Sequence, residues 1–351
     1  NVTQYILGLF LGTIVFCMVV LRSIRDLDSS GSMFTPNISI LMGELLGAAS
    51  LFGLLKLTDH MSLCMHAETL IHGIYQDLIS SANRLFPEID TRRNRSQLDL
   101  ASTDGWESID DKLSLRSKHS GYLQAIDLPA MMQMAEKHLN RIDVLKRPGD
   151  FVYAGEALAN FEISPNHPPH DSDNLEEELG TRYRVFFLKG TVRTPRQDIE
   201  AGVLELVEAG VRALSPGVND PMTAINVVDY ISSFMRYIAN RKWPQSVLLD
   251  SQSNPRIRVR NATFCSVLNA GFDQLRQNAA TSVAVYCRLL EGLAAIAQSV
   301  NRPEDLCAVR RQAEMVLRQA QAAIQEEDDL ADIRERGNHV TQALENALSN
   351  D

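Results

Sequence analysis

Two long apolar runs open the chain, and they constrain its fold more than any other feature. The first extends from Tyr5 to Leu21 without a charged residue, and the second extends from Ile38 to Leu57. An α-helix needs about 20 apolar residues to cross the ~30 Å hydrocarbon core of a bilayer, with a lower limit near 17. The first run has neither the basic flank before it nor the small-residue cleavage site after it that a signal peptide would have. The sequence therefore predicts two transmembrane helices, over about residues 5–22 and 36–57.

The segment between the two runs is short, so the two helices are expected to form a hairpin. Each helix also carries two glycines four residues apart, Gly8 with Gly12 and Gly43 with Gly47. Small residues at this spacing let helix backbones approach closely in lipid. The four glycines are therefore predicted to pack helix against helix.

Glu44 is the acidic residue of the second run. A carboxylate near the middle of a spanning helix costs a few kcal/mol unless it meets a partner, water or the protein interior. Two interpretations stay open: Glu44 is protonated or hydrogen-bonded in a helix interface, or it lines a pore and coordinates ions. Both predict that this helix is not surrounded by lipid alone.

The remaining sequence is typical of a soluble α+β region. Short alternating runs separated by Gly, Pro and Asp predict a β-rich domain over residues 87–195, with one helix at Pro129–Leu139. Residues 146–161 match the turn pattern of a small biotinyl-lipoyl-like β sandwich or barrel, but without the modified lysine motif. Helical periodicity predicts a C-terminal helical bundle over residues 196–351. Residues 1–86 would hold the two transmembrane helices and a helix that leaves the membrane.

The densest polar motif lies in the segment that joins the β-rich and helical domains. Its candidate site residues are Arg193, Thr194, Gln197, Asp198, Arg212, Ser215, Pro216, Gly217, Asn219, Asp220, Pro221 and Thr223. Helical spacing predicts one helix from Gln197 to Leu214 and a break at Ser215–Gly217. A second helix would follow, with Asn219 or Asp220 as its N-cap and Pro221 in its first turn.

Two interpretations of this motif stay open. It is a rigid corner in which Arg193, Asp198 and Arg212 form internal ion pairs, or it is a site for a small anion or a partner. The anion site would combine Arg212, the backbone of Gly217 and the N-terminus of the second helix.

Composition and motifs exclude several classes of function. A net charge of −10 and a pI near 5.3 disfavour nucleic-acid binding. The sequence holds no Walker loop, GxSxG elbow, HExxH or paired CxxC, which removes the usual grounds for proposing an enzyme, and it indicates no cofactor and no metal site. His167–Asp173 is interpreted as a loop, and the basic cluster Arg92–Arg95 favours a cytoplasmic soluble region.

Six segments together resemble a family of predicted bacterial inner-membrane proteins, the domain-of-unknown-function 2254 family. These segments are TQYILGLFLGTIVFCMVVLRSIR, SGYLQAIDLPAMM, RPGDFVYAGEALA, RTPRQD, ALSPGVNDPMTA and AGFDQLRQNA. The resemblance implies about four spanning helices, two of them before Asn1, and a cytoplasmic C-terminal region. It implies no activity.

These features lead us to expect a multi-pass protein of the inner membrane, most simply a homo-oligomeric ion channel or transport-like assembly. Two helices cannot enclose a pathway, so assembly of several copies in the bilayer is part of this hypothesis, and the ion or ligand is unknown. The alternative is a membrane-anchored sensor or scaffold. It would bind a small ligand or a protein partner through the RTPRQD and ALSPGVNDPMTA segments.

Overall fold

The computed structural model describes residues 2–23, 37–64, 67–88, 113–163 and 175–349. Their helices are α1 (Val2–Ser23), α2 (Asn37–Cys64), α3 (Ala67–Leu85), α4 (Leu128–His138), α5 (Leu175–Arg184), α6 (Ile199–Ala213), α7 (Pro221–Ala239), α8 (Phe264–Asn278), α9 (Val283–Ala297), α10 (Pro303–Ala323) and α11 (Glu327–Ser349). Their strands are β1 (Leu113–Arg116), β2 (Gly121–Ile126), β3 (Leu139–Val144), β4 (Phe151–Val152), β5 (Ala157–Ile163), β6 (Phe187–Gly190), β7 (Val247–Leu249) and β8 (Pro255–Arg258). The chain divides into two compact units, residues 1–70 and 71–351. The predicted loop at 167–173 and basic cluster at 92–95 lie outside the described residues.

The first unit consists of α1 and α2, which pack against each other. The windows Tyr5–Arg22 and Asn37–Leu57 are long and apolar enough to cross a bilayer, as the sequence predicts. Only 0% and 6% of these windows are buried inside the chain, whereas a core helix of a soluble protein is mostly buried. Both helices therefore expose their apolar side chains to whatever surrounds the unit.

A polar contact fixes the register of α1 against α2. Thr13 and Ser50 are both buried, and their hydroxyl oxygens lie 2.8 Å apart. The Thr13 hydroxyl also lies 2.8 Å from the carbonyl oxygen of Leu9, to which it donates. In an apolar environment, such a hydrogen bond has no water to compete with it and specifies one pairing of the helices.

The second unit contains two open sheets. The five-stranded sheet has the order β1-β5-β3-β8-β7, and the three-stranded sheet has the order β4-β2-β6. All neighbouring strands are antiparallel except β3 and β8, which pair in parallel with Ile142 opposite Ile257. The predicted α+β region is therefore confirmed.

The described strands do not close into the predicted barrel. β4 pairs with β2, whereas β5 pairs with β1 and β3, so the Gly149–Asp150 turn and Gly155 connect two different sheets. A strand from far along the chain, β8, occupies the edge of β3. The biotinyl-lipoyl-like scaffold stays a prediction, and so does the domain boundary at residues 195 and 196.

The helices from α6 onward form two layers, and α6 contacts α7, α8 contacts α9 and α10 contacts α11 between them. One layer contains α7, α9 and α11 side by side. Arg288 of α9 donates to Asp229 of α7 at 2.8 Å, and Arg336 of α11 donates to Glu291 of α9 at 3.2 Å. This arrangement confirms the predicted C-terminal helical region.

The other layer contains α6, α8 and α10. Gln312 of α10 is completely buried and donates to Asn269 of α8 at 2.6 Å. The chain breaks between α8 and α9, where Ala280 has φ of 50°. A non-glycine residue with positive φ cannot continue a right-handed helix.

Candidate functional site

The candidate residues predicted from the motif fall into two groups at opposite ends of α6. The N-terminal group consists of Arg193, Thr194, Gln197 and Asp198. The C-terminal group consists of Arg212, Ser215, Pro216, Gly217, Asn219, Asp220, Pro221 and Thr223. The 15 residues of α6 span about 22 Å at 1.5 Å per residue. A single small ligand therefore does not contact both groups.

Asp198 is the centre of the N-terminal group. Its side chain is almost completely buried and caps α6 by accepting from the backbone amide of Ala201 at 3.2 Å. Arg193 donates to the same carboxylate at 2.8 Å. Burial raises the pKa of Asp198, and the charge of Arg193 opposes that rise. The helix N-terminus and Arg193 together let a carboxylate occupy a site with little water.

Gln197 joins α6 to the three-stranded sheet. Its side-chain oxygen accepts from the amide of Ile126 at 2.9 Å, and its side-chain nitrogen donates to the carbonyl of the same residue at 3.2 Å. The carboxamide thus pairs with the last residue of β2 as another strand would. Thr194 is half-buried in the turn that leads to the helix.

Sequence reasoning missed the ion pair beside this group. Arg147 forms two hydrogen bonds with Glu200, at 2.9 and 2.8 Å, and Ser266 donates to the same carboxylate at 2.5 Å. Glu200 is buried in the first turn of α6, between the buried residues Ile199 and Ala201. A buried carboxylate needs a cationic partner, but the sequence does not say which arginine supplies it.

The C-terminal group forms the turn between α6 and α7. Asp220 is the N-cap of α7, as the sequence predicts, and Pro221 is the first residue of that helix. The Asp220 carboxylate accepts from the amide of Thr223 at 3.1 Å and from its hydroxyl at 2.6 Å. These hydrogen bonds lower the pKa of Asp220. Asn219 has φ of 49°, a left-handed conformation that asparagine tolerates well.

Two features of this turn bear on the anion hypothesis. Arg212 pairs with Glu208 at 2.6 Å on the exposed surface of α6, and the ionised Asp220 occupies the N-terminus of α7. A bound anion would have to share that end of the helix with a carboxylate. Ser215 donates to the carbonyl of Arg212 at 2.7 Å, while Pro216 and Gly217 are exposed. The ligand role of this turn stays a prediction.

A cavity of about 230 Å³ lies beside the N-terminal group, between α3, β2, α6 and the segment that follows β8. Its lining residues are Arg84, Leu85, Phe86, Ile126, Leu128, Arg147, Pro148, Gln197, Asp198, Ile199, Pro244, Val259, Arg260, Asn261 and Ala262. Both arginine side chains and apolar side chains therefore line this cavity. In the described part of the chain, no three His, Cys, Asp or Glu side chains come together as a possible metal site.

The glycines of the first unit do not all face the same way. A Cβ on Gly43 would lie 3.8 Å from Phe16 and Cys17 of α1, so this glycine faces the partner helix. A Cβ on Gly8, Gly12 or Gly47 would meet no atom within 4 Å. These three positions are open to helices beyond the α1–α2 pair, and their packing role stays a prediction.

Comparison with known sequences identifies a family. Residues 1–295 match the family described as "Predicted membrane protein (DUF2254)". The chain belongs to this family. It is 25% identical over 342 residues to uncharacterized proteins of Mycobacterium bovis and Mycobacterium tuberculosis. The match covers 97% of this chain and 64% of each relative, so the chain spans less than two thirds of the length of these curated relatives.

Membership in the DUF2254 family confirms the resemblance and supports a membrane protein of unknown function. No solved structure matches the chain. The number of spans and the side of the membrane that holds the C-terminal region stay predictions.

Proposed function

We propose that the protein is a homo-oligomeric assembly of the inner membrane in which Glu44 lines an ion-conducting path. The observation that carries this proposal is the position of Glu44. It is exposed in the first unit and lies three residues from Gly47, the midpoint of Asn37–Leu57. That separation is about 4.5 Å along the helix. A carboxylate that faced hydrocarbon there would cost about 3 kcal/mol, so a further helix or water must cover it.

The residues around Glu44 indicate how a second copy would pack. Leu41, Glu44, Ala48, Leu51 and Leu55 recur at intervals of three and four, and all five are exposed. This spacing places them on one side of α2, the seam of a heptad repeat. We call these five residues the Glu44 seam.

The Glu44 seam lies on the side of α2 away from α1. Gly43 and Ser50, which contact α1, are about 120° and about 140° from the centre of the seam at 100° per residue. The α1–α2 pair therefore leaves the seam uncovered. Packing the seams of several copies around an axis would gather one carboxylate from each copy, and rings of acidic side chains select cations.

Disulfide cross-linking tests the assembly. The protein with its native cysteines replaced carries either Leu51→Cys, in the Glu44 seam, or Met42→Cys as the matched control. Both side chains are exposed on α2, at 61% and 49%, but Met42 lies well outside the seam. In native membranes, an oxidant should cross-link the Leu51→Cys variant between copies and not the Met42→Cys variant. Equal cross-linking, or none, would contradict assembly through this seam.

Ion flux into vesicles tests conduction. The wild-type protein should pass cations, Glu44→Gln should lower the cation flux, and Glu44→Lys should shift selectivity toward anions. The physical reason is that the charge at the axis sets the sign of the ions concentrated there. If the Leu51→Cys variant cross-links between copies but vesicles with the wild-type protein pass no ion, the channel is refuted and the assembly is not.

A second candidate function, the membrane-anchored sensor or scaffold, is supported by the cavity beside Gln197 and Asp198. In this proposal the α+β region lies in the cytoplasm, binds a small ligand and responds through α3, which follows α2 in the chain. Its test is the binding of a ligand to that cavity together with a change in α3.

A further inference from the structure

We propose that the 230 Å³ cavity binds a small carboxylate with an apolar body. The inference rests on the second candidate function and names the chemical class of its ligand. It requires neither oligomerisation nor ion flux.

The charges of the cavity point to an anion. Of its charged lining groups, Arg147 is neutralised by Glu200, and Asp198 is neutralised by Arg193. The remaining two are Arg84 and Arg260.

Arg84 and Arg260 both donate to neutral groups. Arg84 donates to the hydroxyl of Ser81 at 3.0 Å, and Arg260 donates to the carbonyl of Leu145 at 3.4 Å. Neither has an acidic partner among the described residues. Guanidinium groups bind carboxylates through charge-assisted, often bidentate hydrogen bonds. The cavity thus offers two positive charges that no acidic side chain of the described residues neutralises.

The rest of the lining favours an apolar body on the ligand. Besides two prolines and an alanine, the apolar side chains of the wall are Leu85, Phe86, Ile126, Leu128, Ile199 and Val259. Phe86 and Ile199 are almost completely buried, so they form a floor and not part of the protein surface. A volume of 230 Å³ corresponds to about eight water molecules at ~30 Å³ each. Benzoate carries one carboxylate on an apolar ring and is small enough to enter such a space.

The position of the arginines connects the cavity to the membrane segment along the chain. Arg84 lies in the last turn of α3, and Arg260 lies between β8 and α8. A carboxylate held by both would tie the C-terminal end of α3 to the sheet. Binding is therefore expected to slow hydrogen exchange in α3.

Isothermal titration of the full-length protein in detergent tests the site, with benzoate as the probe. Acetate lacks the apolar body and benzamide lacks the charge, so both should bind at least about tenfold more weakly. Arg84→Gln and Arg260→Gln should each weaken benzoate about tenfold, the loss expected for one charged hydrogen bond. Both side chains are exposed, so the two variants should fold normally.

Arg212→Gln is the matched control. Arg212 is also an exposed arginine, but it lies at the other end of α6. Its substitution should leave benzoate affinity unchanged. The site is overturned if benzoate shows no saturable binding, if Arg84→Gln and Arg260→Gln bind it normally, or if Arg212→Gln abolishes binding. Binding without altered exchange in α3 supports the site and overturns the sensor function, so the two failures are distinguishable.

Discussion

Replacing Gly149 by alanine should destabilise the second unit through the cap of α6. Gly149 has φ of 97°, and an alanine Cβ there would lie 2.3 Å from the Asp198 Oδ2 atom and 2.9 Å from the Arg193 Nη2 atom. Carbon atoms do not approach oxygen or nitrogen so closely. The carboxylate must therefore move away from the backbone amide of Ala201 and from its arginine.

The expected loss combines three contributions. Positive φ costs an L-residue about 1–2 kcal/mol relative to glycine. Disturbing an N-cap costs about 1 kcal/mol, and weakening the buried ion pair about 1 kcal/mol more. Gly155 provides the matched control, because its φ is 82° but its Cβ would meet no atom within 4 Å. Gly155→Ala should therefore lower the free energy of unfolding only by the cost of positive φ. Gly149→Ala should lower it by about 2 kcal/mol more.

Thermal unfolding of both variants in detergent measures this difference. At about 2.1 cal/mol/K of unfolding entropy per residue, 2 kcal/mol lowers the Tm of a unit this large by about 3–4 °C. Gly149→Ala should unfold that much below Gly155→Ala. Equal Tm values would show that Asp198 can move without a loss of stability. They would refute the stabilising role assigned to its cap of α6 and its ion pair with Arg193.

The structure makes three further predictions. Gly292→Ala places a Cβ 2.2 Å from the Ser232 hydroxyl and should destabilise by about 1–3 kcal/mol, whereas Gly217→Ala meets no atom and should be neutral in urea unfolding. Arg212→Gln should change stability by less than about 0.5 kcal/mol, because its ion pair is exposed; a larger loss would contradict this. Neighbouring backbone amides lower the pKa of Asp250 to about 2, so its contribution to stability is complete above its usual pKa and is lost as the pH falls from about 4 to about 2. Asp250→Asn should make stability less dependent on pH between about pH 4 and about pH 2 in acid unfolding. An unchanged curve would refute the contribution assigned to Asp250.

Local signals explain which parts of the fold could be predicted from the sequence. The apolar windows of α1 and α2 follow from length and composition, because a bilayer sets both. The start of α7 follows from Asp220 and Pro221, which act within four residues of each other. These features depend on neighbours in sequence, so no tertiary information is needed to find them.

Long-range pairing explains what could not be predicted. Strands β7 and β8 have three and four residues, which is too short for a periodic pattern in the sequence. They are recognised as strands by their pairing with each other and with β3. The candidate residues of the motif are close together in sequence, but α6 holds their two groups at its opposite ends. The pair Arg147–Glu200 joins residues 53 positions apart, so no spacing rule reveals it.

The parallel pairing of β3 with β8 has a consequence for biosynthesis. Ile142 and its partner Ile257 are separated by 115 positions, which a ribosome translates in roughly 6–23 s at about 5–20 residues per second. Throughout that interval the nascent chain carries β3 with one row of amides and carbonyls unsatisfied. Unpaired edges of this kind recruit foreign strands. A chaperone that covers this edge of β3 until β8 has been synthesised should therefore reduce aggregation of the nascent chain.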